Sequence, residues 1–116
     1  MSVVTNVMLH VGCSEEVTLE QINTAANVMQ GQALKDITDG EAWGGHKYPE
    51  VTLYAAAYNH LLVDTFMESL AGVPWTEPDE VQLFICRQDD YGFTVYQLVD
   101  KEWVPLVPAV RAAHGG

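Results

Sequence analysis

His10, His46, His60 and His114, together with Cys13 and Cys86, are the side chains able to ligate a borderline metal or to take part in nucleophilic chemistry. Structural zinc sites draw on close pairs such as Cys-x-x-Cys or His-x-x-x-His. Neither occurs, so neither a metal nor a cofactor is expected. Gly12-Cys13-Ser14 stands where an apolar run stops. A thiol there becomes a nucleophile only if folding carries His46 or His60 beside it as a base. Gly-rich phosphate loops are absent, which leaves phosphate-cradle nucleotide binding without support. No residue is therefore assigned a catalytic role. Trp43, His46, Tyr48 and Tyr58 have the aromatic bodies and polar tips of a small-molecule pocket. The plainer use of such residues is a small core that pins a loop.

The elements that must position these groups follow from periodicity. Val3–Val11 alternates and is expected as a strand. Thr18 and Gln21 form a capping box, and Leu19, Ile22, Ala26 and Met29 recur at helical spacing, so a helix is expected over Thr18–Gln30 with Gly31 as its C-cap. Ala33–Thr38 reads as a short strand, and Glu41–Pro49 as a Gly-rich aromatic loop. Val51–Tyr58 reads as a third strand, with Val51, Leu53, Ala55 and Ala57 on one side and Tyr54, Ala56 and Tyr58 on the other. A second helix is expected over Leu62–Ala71, stopped by Gly72 and Pro74. Val81–Arg87 and Phe93–Val99 form a hairpin around Asp89-Asp90-Tyr91-Gly92.

That order predicts an α+β fold of the ferredoxin-like, split β-α-β plan. Its antiparallel sheet carries two helices on one face and an extra C-terminal hairpin strand. A single domain over residues 1–108 and a flexible tail over 109–116 are expected. The plan leaves the other sheet face bare, and Tyr54, Tyr58, Phe84 and Tyr96 are its candidate residues. A second copy, a partner or the Trp103–Val107 segment would cover it.

Sixteen acids against five lysines and arginines give a net charge of −11. Phosphate contacts need cations, so direct binding to nucleic acid or to an anionic membrane is not expected. The acidity fits either a decoy that imitates the charge of DNA or a solubility surface. The second is the plainer, because the acids cluster in expected turns and helix starts. No run approaches the roughly 18 apolar residues of a membrane span. Met1-Ser2-Val3-Val4-Thr5-Asn6 lacks the basic start of a signal peptide. A cytoplasmic location in a bacterial host is the expectation, and with it two free thiols.

Gly44-Gly45-His46-Lys47, Ala57-Tyr58-Asn59-His60-Leu61 and Val73-Pro74-Trp75, followed by the Glu77–Glu80 acidic turn and Val81-Gln82-Leu83, carry a resemblance. The pattern, over about half the chain, resembles a group of small uncharacterised proteins of actinobacteria and their bacteriophages. The resemblance implies an origin rather than an activity. Gly115-Gly116 resembles the terminus of ubiquitin-like sulfur carriers and modifiers, which would imply activation of the Gly116 carboxylate. Those proteins open with a hairpin before their helix, whereas this chain enters a helix after one strand. The leading expectation is a non-catalytic protein-binding module that acts on a host protein or on itself as a homodimer. Its expected contact residues are Trp43, His46, Tyr48, Tyr54 and Tyr58, with acidic rims that favour a basic partner. The alternatives are a Gly-Gly carrier and a small cofactor-free enzyme or ligand-binding domain.

Overall fold

A computed structural model of the chain describes residues 4–26, 32–38 and 51–107. In β1 (Val4–Val11), Thr5, Val7, Leu9 and Val11 are buried, and Asn6, Met8 and His10 alternate with them on the other side. This strand lies inside the sheet, antiparallel to β3 (Thr52–Asn59) and to β4 (Gln82–Arg87). The short β2 (Lys35–Asp36) pairs with β3, while β5 (Thr94–Val99) and β6 (Glu102–Pro105) extend the sheet beyond β4. The strand order is β2-β3-β1-β4-β5-β6, with α1 (Leu19–Ala26) after β1 and α2 (Val63–Ala71) after β3. The chain is thus α+β, with a ferredoxin-like arrangement of its first four strands and two strands added at the β4 edge.

Local chemistry explains where the elements start and stop. The Thr18 N–H donates to Gln21 Oε1 at 2.8 Å, and the Gln21 N–H donates to Thr18 Oγ1 at 3.2 Å, which closes the expected capping box. The remainder of the expected first helix and its Gly31 cap lie outside the described residues. Asn23 replaces a strand partner for Leu34: it accepts from the Leu34 N–H at 2.9 Å and donates to the Leu34 carbonyl at 3.2 Å. That pair docks the chain entering β2 onto α1. Gly72 ends α2 in right-handed geometry (φ −81°), and its N–H donates to the Glu68 carbonyl. The helix stop therefore does not depend on a left-handed glycine here.

β6 was not expected from the sequence. Asp100 and Lys101 take positive φ, 49° and 65°, and turn β5 directly into β6. Such hairpin turns favour Asn-Gly, so Asp-Lys hides the signal. Trp103 sits on the same side as Leu98 and donates its Nε1–H to the Met67 carbonyl of α2 at 2.6 Å. This segment therefore extends the sheet and packs at the helix side instead of folding over the bare face.

One core fills the space between helices and sheet. It joins Ile22 and Ala26 of α1 and Val63, Phe66 and Leu70 of α2 to Val7, Leu9, Leu83, Ile85 and Leu98. Tyr54 and Tyr58 belong to it as well. The sequence reading placed both tyrosines, and Tyr96, on the open face. The alternation was right and the side was inverted. Tyr58 is only 1% exposed and packs its ring 5.3 Å from that of Phe66. Burying the aromatic side of β3 removes far more apolar surface from water than burying its alanine side would.

Candidate functional site

The register defines the face that no helix covers among the described residues. Reading across the sheet, Lys35, Ala55, Met8, Phe84 and Val95 form one row, and Ala57, Asn6 and Cys86 form the next. Phe84 is the one aromatic that the sequence reading assigned to this face correctly. Phe93 stands edge-on to it, with centroids 6.4 Å apart and ring planes at 80°, and remains 46% exposed. Ile37 and Val104 add exposed apolar side chains toward the two edges. A shallow groove of about 630 Å³ crosses this face, lined among others by Asn6, Met8, Lys35, Ala55, Ala57 and Phe93. The alanines make a low floor, and Phe84 with Phe93 makes a ridge beside it.

A second groove of about 520 Å³ runs between the helices, past Val17, Ala25 and Val73, with Gln21, Thr65 and Glu68 contributing polar groups. Among the described residues the groups whose acidity is shifted, Glu15, Tyr54 and Tyr58, line neither groove.

The Glu15 carboxylate joins the β1–α1 loop to the segment after α2. It accepts from the N–H groups of Thr76 at 2.8 Å, Glu77 at 2.9 Å and Val17 at 3.0 Å. Burial alone would raise its pKa, but these donors outweigh that effect and hold it below the ordinary value. Glu77 reciprocates by accepting from the Ser14 N–H at 2.9 Å. Gly12 makes room for it, because a Cβ there would sit 2.5 Å from Glu77 Oε1. These two acids serve the fold, but mainly through contacts between distant segments rather than the local turn and helix-start roles expected of the acidic clusters.

Burial raises the Tyr54 phenol above its ordinary value, with the charges of Asp36 and Glu15 adding to the effect. Burial pushes Tyr58 up to about 12, and its hydroxyl finds no hydrogen-bond partner among the described residues. Neither tyrosine is placed to meet a partner. His10 donates Nδ1–H to the Glu80 carbonyl at 2.7 Å. Cys13 and Cys86 are both free thiols. Among the described residues no three metal-ligating side chains come together, and no helix is long and apolar enough to cross a membrane.

Trp43, His46 and Tyr48 lie outside the described residues, as do His114, Gly115 and Gly116. The face is instead built from Met8, Phe84, Phe93, Ala55 and Ala57. Their signal was the alternation of β1 and β3, which groups Met8 with Ala55 and Ala57 but does not say which side of the sheet faces out. Compared with known proteins, the chain matches no protein family, no curated protein and no solved structure.

Proposed function

We propose that this protein is a small acidic binding module of phage type that acts non-catalytically, by docking a protein on the helix-free face of its sheet. The observation that carries the reading is the apolar character of that face. Met8, Ala55, Ala57, Phe84 and Phe93 present hydrocarbon to the outside of a strongly acidic chain. Contiguous exposed apolar surface of this kind marks protein contact sites. The shallow groove suits a flat protein surface better than an enclosed small molecule. The cytoplasm of a bacterium is the proposed setting, in keeping with the sequence resemblance, and the docked protein is either a host protein or another copy of this chain.

Affinity capture from an actinobacterial lysate tests the reading, with the intact protein and with Met8→Glu as baits. A stoichiometric protein, another polypeptide or the same one, retained by the intact bait and lost with Met8→Glu supports docking on this face. Equal retention by both baits would sink it.

A further inference from the structure

We infer that the occupant of the helix-free face is a second copy of this chain, packed sheet against sheet about a two-fold axis that runs along the strands near Met8. The inference rests on the docking role proposed for that face and names its partner. Charge is the first argument. At −11, two copies repel each other through most of their surfaces. Among the described strand positions, the outer side of the sheet carries formal charge only at Lys35 on β2 and Glu102 on β6, at opposite edges. Two copies can therefore meet here without bringing the acids of these strand positions together, and a two-fold axis along the strands lays unlike edges over each other. A basic partner, by contrast, finds no acid in the middle of this face and is drawn elsewhere.

Shape is the second argument. Strand order puts the alanine floor of β3 and the Phe84–Phe93 ridge on opposite sides of a line between β1 and β4. A two-fold axis on that line carries the ridge of each copy over the floor of the other, so one patch is complementary to itself. Area is the third. Strands about 4.8 Å apart and about six residues long, at about 3.3 Å per residue, make a face of roughly 500 Å² before side-chain relief. Two such faces bring together about 1,000 Å², the lower bound for a specific interface. The dimer is therefore expected to dissociate on dilution.

Sedimentation of the purified full chain across a range of concentrations tests this, with Met8→Glu, Met8→Lys and Ala57→Glu as variants. Circular dichroism checks that each variant folds. The expected result is a mass of two chains that falls on dilution for the intact protein and a mass of one chain for each folded variant. An equimolar mixture of Met8→Glu and Met8→Lys should regain the mass of two, because the axis brings the two Met8 positions near each other. Ala57→Glu keeps the test open if a Met8 variant does not fold. An intact protein that stays at one chain at every concentration overturns the inference, as does a dimer that all folded variants leave unchanged. If the chain is monomeric while lysate capture still depends on Met8, the second copy is wrong and the docking face stands. Loss of both removes the two readings together.

Discussion

Along β3 the helix side reads Tyr54, Ala56, Tyr58, and the outer side reads Leu53, Ala55, Ala57. Along β1 the helix side reads Thr5, Val7, Leu9, Val11, and the outer side Asn6, Met8, His10. The same strands thus build a closed core on one side and a low apolar floor on the other. On the helix side residues are held by neighbours from two layers, as Tyr58 is by Thr5 of β1 and by Phe66 of α2. On the outer side the described neighbours come from the sheet and from the short segments that lead into β2 and β5. A side chain on the first face belongs to folding, and one on the second is free to belong to association.

Truncation on each side is the strongest way to break that contrast. Leu9→Ala, at a position 0% exposed, should cost about 3 kcal/mol, the usual loss for a buried leucine. Met8→Ala, the adjacent residue on the outer side, should cost less than about 1 kcal/mol in the monomer. Urea unfolding of both variants at low protein concentration measures the difference, and equal losses would mean that the outer side is covered.

Tyr58→Phe sharpens the description of the closed side. Its hydroxyl is buried without a partner among the described residues, so removing it should stabilise the chain by about 1 kcal/mol, seen as a higher urea midpoint with unchanged slope. A loss of stability would reveal a hydrogen bond to that hydroxyl.

The smallest expected effect tests the loops that close the helix side. Glu15 has a folded pKa below its ordinary value of 4.5. It adds stability that is complete above the ordinary carboxylate range and is lost as pH falls through the folded value. Glu15→Gln should therefore flatten the acid limb of stability against pH and leave the region above pH 6 without added slope. Thermal melts from pH 3 to pH 7 measure this, and an unchanged acid limb would assign acid sensitivity to other carboxylates.

Much of the fold was legible in local pattern because its causes are local. The capping box at Thr18 and Gln21, the alternation of β1 and the hairpin of β4 with β5 each depend on residues a few positions apart. The β5–β6 hairpin was not legible, because Asp100 and Lys101 adopt positive φ without the glycine that usually announces it. The Glu15 link to Thr76 and Glu77 spans about sixty residues, and nothing in either segment names the other. The expected contact site was read least well. An aromatic body with a polar tip suits a contact residue and a core residue alike, and aromatic bulk is what drew Tyr54 and Tyr58 into the core.

By itself the sequence determined the order of the first five strands and the two helices, the acidic charge and which residues of each of those strands share a side. Only the tertiary structure decided which side the helices cover. Alternation sorts a strand into two sets without ranking them. The ranking comes from the total area that the helices and strands can bury together, and that sum exists only once the chain has folded.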